Sequence, residues 1–257
     1  MTRVGIITRP FVFAWHFLTA IPLSRLHHAP TAAELAASMA WYPAVGLLIG
    51  CSLALADVVL ARLFEAPVGN VLLVVLLVLL TRGLHQDGLA DTLDGLAGGR
   101  TPAERLSIMR DPRIGAIGAT GLFLSLLLRY AGLLALPQTL RLPVLLSMPV
   151  LGRWAMVTLA WLLPYARVEG GLAAPFMQHL SWPHVAMSTG FMLVTLVVGF
   201  GIWQAVAIWL VGLTIVLVGR SVFRCCFGGL TGDTLGATNE CVEIFFLFLI
   251  PFLLLLP

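Results

Sequence analysis

Long apolar stretches, each interrupted by only a few polar positions, dominate this chain. Crossing a bilayer as a helix takes about 20 predominantly apolar residues. Stretches of that kind run over 37–62, 67–81, 114–136, 143–163, 184–201, 202–219 and 241–257. The pattern predicts an all-α fold, a polytopic transmembrane helical bundle of about seven spans. A shorter apolar run over 10–23 follows Arg3 and Arg9, is interrupted by His16 and Pro22, and leads to no small-x-small cleavage site. It reads as an N-terminal interfacial or re-entrant segment rather than a signal peptide. Short links such as Leu136–Pro143 tie neighbouring spans together, so 1–257 is expected to form a single integral membrane domain.

Composition agrees with the pattern. The 257 residues are 60% apolar and 11% charged, against about 25% charged in soluble domains, and mean hydropathy is +1.00. A soluble fold could not hide so much apolar side chain behind a wet surface. All 15 basic residues are Arg, and the net charge of +3 is too small to suggest nucleic acid as a partner. Cys51, Cys225, Cys226 and Cys241 form no CxxC pair and read as reduced, small apolar residues.

Charge is placed very unevenly. Segment 81–113 holds Arg82, Arg100, Arg105, Arg110 and Arg113 with Asp87, Asp91, Asp94, Glu104 and Asp111, which is 10 of the 27 Arg, Asp and Glu residues. Its arginines predict a cytoplasmic location. A second polar island runs over 220–243. The four candidate spans between the two islands return the chain to the same side. The 164–183 loop, with Arg167 and Glu169, falls on that side too.

Within the first island, Asp87, Asp91 and Asp94 lie at i, i+4 and i+7, one face of a helix. Three adjacent carboxylates repel one another unless a cation sits among them, and hard oxygen donors suit Mg²⁺, Mn²⁺ or Ca²⁺. Such an ion can hold a pyrophosphate, so the segment reads as a metal-dependent phosphoryl-transfer site at the membrane face; the bland alternative is a solvated acidic face. His85 adjoins the carboxylates as a hydrogen-bonding neighbour. Arg110 and Arg113 flank Asp111 and read either as a phosphate clamp or as a positive-inside anchor. In the second island, Gly228-Gly229-Leu230-Thr231-Gly232-Asp233 can approach a ligand closely, and Asp233, Glu240 and Glu243 add ligands or a base. Arg129 and Arg153 fall within spans, where each needs a partner.

Phe17-Leu18-Thr19-Ala20-Ile21-Pro22, His85-Gln86-Asp87-Gly88-Leu89-Ala90-Asp91 through Asp94-Gly95, Met109-Arg110-Asp111 with Gly115, and Gly232-Asp233-Thr234-Leu235-Gly236-Ala237 together resemble the cobalamin synthases, the adenosylcobinamide-GDP ribazoletransferases. The resemblance covers most of the chain. It implies transfer of adenosylcobinamide phosphate from adenosylcobinamide-GDP to α-ribazole or its 5′-phosphate, with release of GMP, in a bacterial inner membrane. It implies Mg²⁺, or Mn²⁺, held by Asp87, Asp91, Asp94 and Asp233. Asp94 or Asp233 would act as base and Arg110 and Arg113 would take the leaving charge. His85, Arg105, Asp111, Arg167 and Gly232 would contact substrate. A homo-oligomer and association with other cobalamin-assembly enzymes are left open. Two rivals stand beside this reading: a CDP-alcohol phosphotransferase, whose pattern places an Ala-Arg pair that does not follow Asp94-Gly95 here, and a cation-coupled transporter, which would show internal repeats.

Overall fold

A computed structural model describes residues 3–23 and 29–255, with side chains described over 9–23 and 29–253. The side chain of Arg3 and the last two positions of the 241–257 run lie outside the described residues. The described chain folds as twelve helices: α1 (Arg3–Leu18), α2 (Ala32–Met39), α3 (Tyr42–Leu63), α4 (Ala66–Thr81), α5 (Leu84–Gly98), α6 (Pro102–Ile108), α7 (Ala116–Ala135), α8 (Gln138–Leu162), α9 (Ala174–Gln178), α10 (Trp182–Phe200), α11 (Ile202–Phe227) and α12 (Gly232–Leu255). Six of them, α3, α7, α8, α10, α11 and α12, are long and apolar enough to cross a membrane alone. α4 and α5 pass the same test together, bent by 89°. The protein is therefore a multi-pass helical bundle, with one span broken in two.

The bundle has two unlike ends. At one end the spans are joined by minimal turns: Phe64–Glu65 between α3 and α4, Leu136–Pro137 between α7 and α8, and Gly201 between α10 and α11. All longer connections gather at the other end, and they bind one another there. Leu230 donates its amide to Pro164 and accepts from Ala166 at 2.9 and 2.8 Å. Arg105 Nη1 donates to the Cys226 carbonyl at 3.1 Å, and the rings of Phe17 and Phe176 lie 4.7 Å apart.

α8 is the central post, with 83% of its apolar stretch buried. α3 reaches its backbone through Gly46 and Gly50; a methyl at Gly50 would stand 2.7 Å from the Leu145 carbonyl oxygen. Small residues one turn apart let helix backbones approach where lipid supplies no hydrophobic drive between helices. Near the short-turn end, Arg141 holds Asp57 with two hydrogen bonds of 2.8 and 2.7 Å and also donates to Asn70 and to the Leu133 carbonyl. This clasp joins α3, α4, α7 and α8.

A second set of charges lies deeper. Arg129 of α7 donates to Glu240 at 2.8 Å and to Glu243 at 2.7 Å, both on α12. Arg153 of α8 donates to the other oxygen of Glu243. All four side chains are essentially sealed from solvent. Gln86 of α5 donates to the free oxygen of Glu240 at 3.1 Å. The two span arginines thus have partners, and Glu240 and Glu243, which the sequence offers as ligands or a base, are spent on them.

Removing one member of such a buried network leaves an uncompensated charge. Glu243→Ala, which leaves Arg153 without its carboxylate and Arg129 with Glu240 alone, should cost about 3–5 kcal/mol of stability. Thermal unfolding in detergent should show a strongly lowered midpoint; an unchanged one would mean that the network is not holding α7, α8 and α12 together.

Candidate active site

The site begins at the break between α4 and α5. Arg82 and Gly83 both have left-handed backbones, φ 54° and 67°, a conformation that Gly adopts freely and an arginine only at a cost of about 1–2 kcal/mol. Arg82 is steadied by a hydrogen bond of 3.1 Å from its guanidinium to the His16 carbonyl. The chain then re-enters a helix, and α5 runs between α7 and α12, antiparallel to both. Although it carries three aspartates, α5 is no exposed loop: His85, Gln86, Gly88, Leu89, Ala90, Thr92 and Gly95 are buried.

Two glycines bring α5 against the start of α12. A methyl on Gly88 would lie 2.6 Å from the Asp233 carbonyl oxygen and 2.9 Å from its Cα, and one on Gly236 would lie 3.2 Å from the His85 Cα. This backbone contact sets Asp233 beside the aspartate face. Asp91 stands within electrostatic reach of Asp87, Asp233 and Asp94, with Arg167 the nearby cation. Asp87 is exposed and Asp91 half-buried.

Asp94 has a further task. Its two oxygens accept the amides of Gly115 and Gly118, each at 2.7 Å, at the first turn of α7. A carboxylate there satisfies amides that the helix itself cannot and meets the positive end of its dipole. A side chain at either glycine would collide with the Asp94 carboxylate. The third aspartate therefore anchors α7 to α5.

α12 starts on a Thr231 cap, whose hydroxyl accepts the Thr234 amide at 3.2 Å. In the next turn Asp233 takes two donors on its Oδ2, the Arg167 guanidinium at 3.0 Å and the Thr231 hydroxyl at 3.2 Å. Arg167 is the arginine that the structure brings to the acid cluster. Arg110 instead pairs with Glu169 at 2.8 Å on the exposed rim. Arg113 grips Asp111 with both ends of its guanidinium, at 2.9 and 2.7 Å. Those bonds hold the Asp111 carboxyl at a pKa of about 2, and the Arg110 bond keeps Glu169 below its ordinary value. Arg105 ties the end of α5 to the last turn of α11 through the carbonyls of Gly99 and Cys226. Gly232 opens α12 next to Asp233. His85 is 1% exposed, and neither ring nitrogen has a hydrogen-bond partner among the described residues.

Two cavities meet at Asp87. One is the more enclosed, about 170 Å³, and is lined by Phe17, Tyr42, His85 and Phe176 together with Asp87, Asp233 and Arg167. The other is an open groove of about 520 Å³ lined by α4, α5 and α7 residues, including Val78, Arg82, Leu122 and Leu126. Phe17, Leu84 and Asp87 belong to both. The walls of the enclosed cavity come from positions scattered from 17 to 236, so no local motif signals them.

The donors suit a hard divalent ion in kind. Among the described residues no three His, Cys, Asp or Glu side chains converge tightly enough to hold an ion by themselves. Mg²⁺ asks for less, since it keeps several waters and takes one or two carboxylates together with phosphate oxygens of the substrate. Asp87 and Asp91, with Asp233 alongside, fit that mode.

A family model described as Cobalamin-5-phosphate synthase matches residues 10–251. A relative from Syntrophobacter fumaroxidans is 38% identical over 90% of this chain and 96% of its own length. One from Chlorobaculum parvum is 39% identical over 91% of each chain, and one from Stutzerimonas stutzeri is 37% identical over 91% and 94%. All three are named adenosylcobinamide-GDP ribazoletransferase. No solved structure matches.

The geometry of Asp94 makes a prediction of its own. Asp94→Ala removes the acceptor for two amides at the α7 start and should lower stability by about 1–2 kcal/mol. Thermal unfolding of the purified variant checks it; a wild-type midpoint would show that the α7 start is satisfied without this carboxylate.

Proposed function

Because the chain belongs to the cobalamin-5-phosphate synthase family, we propose that it transfers the phosphorylated corrinoid of adenosylcobinamide-GDP to α-ribazole or α-ribazole 5′-phosphate and releases GMP. The observation that carries this reading is the contact of Gly88 with Asp233, which collects Asp87, Asp91, Asp233 and Arg167 where a narrow cavity and a wider groove meet.

Asp87 and Asp91 would hold Mg²⁺, or Mn²⁺ in its place, with Asp233 beside them as the base. When bound, the ion neutralises the pyrophosphate and makes its phosphorus open to attack. The rest falls to the chain's own groups. The ribose hydroxyl of the acceptor attacks the phosphorus on the corrinoid side, and the bond from that phosphorus to the bridging oxygen breaks. The hydroxyl proton passes to Asp233, whose Oδ2 is taken by Arg167 and Thr231 and whose Oδ1 is left for it. GMP leaves with the bridging oxygen, its charge met by Arg167. Arg110 and Arg113 stand on the rim with their acidic partners and attract the anionic donor. The bundle sits in a bacterial inner membrane with its loop-rich end facing the cytoplasm, an orientation that the arginine excess of that end supports.

Three outcomes test this. Asp87→Asn and Asp91→Asn should lower GMP release and recover part of it as Mg²⁺ is raised; wild-type metal curves for both would place the ion elsewhere. Replacing the GDP-corrinoid with a CDP-alcohol should give no nucleotide release. Arg167→Ala should lose about 1.5–3 kcal/mol of transition-state stabilisation, about 10- to 100-fold in kcat/KM, and normal turnover by folded Arg167→Ala would remove Arg167 from the leaving-group role. Orientation is read separately. A cysteine at position 100 of a chain whose native cysteines are serine should react with a membrane-impermeant reagent only after cells are opened, and labelling in intact cells would invert the topology.

A further inference from the structure

The enclosed cavity is better built than phosphoryl transfer alone requires. Of the four aromatic rings that line it, Tyr165 among them, three meet one another: Phe17 and Tyr42 lie nearly parallel with centroids 6.1 Å apart, and Phe17 meets Phe176 at 4.7 Å. These rings belong to α1, to α3 and to α9 in the loop between α8 and α10, so the cavity exists only when the chain has assembled around it. Most of the remaining wall is apolar, including Met39, Met156 and Leu235. Buried in this surface is His85, 1% exposed, with both ring nitrogens unpartnered among the described residues. A buried polar group left unpaired costs free energy, which a ligand in the cavity would recover. Asp87, Asp233, Tyr165 and Arg167 complete the lining.

Size narrows the occupant. A cavity of about 170 Å³ is well below the volume that drug-sized ligands occupy. It takes one fused pair of aromatic rings and cannot take a corrin macrocycle, which the open groove on the other side of Asp87 leaves room for. Chemistry narrows it further. Guanine, the other bicycle in the reaction, presents a carbonyl, a ring N–H and an amino group along one edge; Asp87, Asp233 and Arg167 could meet that edge only by giving up the pyrophosphate, and Met39, Met156 and Leu235 would leave it unpaired. A benzimidazole joined to ribose has one free ring nitrogen, an acceptor, to which an imidazole N–H of His85 can donate. Its faces and alkylated edge suit aromatic and apolar walls.

We propose that this cavity receives the benzimidazole base of the acceptor nucleoside, that His85 fixes its orientation, and that the ribose thereby projects between Asp87 and Asp233. The assignment rests on the reaction proposed above. It makes His85 a specificity-determining residue rather than a metal ligand, and it divides the site at Asp87 into a closed acceptor side and an open donor side.

The test uses the full chain in lipid nanodiscs and two readouts. Calorimetric titration with α-ribazole alone measures binding without turnover, and GMP release gives separate KM values for α-ribazole and for adenosylcobinamide-GDP. Ala173 lines the cavity from a loop, so Ala173→Phe fills it without disturbing a span, and Ala173→Leu serves if the larger side chain prevents folding. Either should weaken α-ribazole binding and raise its KM by about tenfold or more, the effect of spoiling one hydrophobic pocket, and leave the KM for the GDP-corrinoid within about twofold. The loss should be smaller for the riboside of unmethylated benzimidazole. His85→Ala should likewise raise the acceptor KM, and His85→Gln, which keeps a donor, should restore part of it. A rise in the KM of the GDP-corrinoid instead would put guanine in the cavity and overturn the assignment, as would unchanged binding in the filled variants. A wild-type protein that released no GMP would sink the reaction, whereas α-ribazole binding abolished by Ala173→Phe would still uphold the cavity.

Discussion

Two arginines and two glutamates meet inside the bundle, and the rest of the site depends on their neutrality. Intramembrane charge is costly and survives only when paired, so Arg129 and Arg153 fix α7 and α8 to the face of α12 that carries Glu240 and Glu243. Gln86 completes the set by donating to Glu240, which locks the register of α5 against α12. That register decides which residues of the two helices touch. It puts Gly88 under Asp233 and Gly236 under His85, and from there the acid cluster follows. A network with no access to substrate thus sets the geometry of one that has it.

The broken span is the other half of the arrangement. A continuous helix through 66–98 would carry the three aspartates along a straight path. The left-handed pair Arg82–Gly83 turns the chain by 89° instead and delivers α5 into a slot between α7 and α12. Irregular backbone and polar side chains are tolerated at membrane depth where they are buried in protein or line a cavity, and both conditions hold here.

Much of this was legible in the sequence. Six of the seven apolar runs reappear as helices long enough to span alone and 67–81 as the first half of the broken span, since lipid forces the backbone to satisfy itself and hydropathy then reports the helices. The aspartate spacing marked α5, and the cost of buried charge flagged Arg129 and Arg153 before their partners were visible. The sequence left other things open. Glu240 and Glu243 read as candidate ligands because nothing local says that they are three to four residues into a buried pairing with helices far away in the chain. Asp94 shares a face with Asp87 and Asp91, yet its oxygens go to amides some twenty residues later. The glycines of both motifs read as approaches for a ligand, while Gly88 and Gly236 serve helix contact. Gly46 and Gly50, one turn apart on α3, carry a packing signal that hydropathy alone passes over. In each case the deciding contact is tertiary, and residue type gives its chemistry but not its partner.

The minimal turns at the plain end of the bundle bear on how the chain is built. Phe64–Glu65, Leu136–Pro137 and Gly201 carry few polar groups, so moving them through the bilayer core costs little more than the helices they join. In the proposed orientation, α3 with α4, α7 with α8 and α10 with α11 can therefore enter from the ribosome's side as hairpins, two helices at a time, with the arginine-rich connections kept on that side. α12 follows these pairs and brings Glu240 and Glu243 to the arginines of α7 and α8, so its insertion is the step that neutralises the bundle's interior.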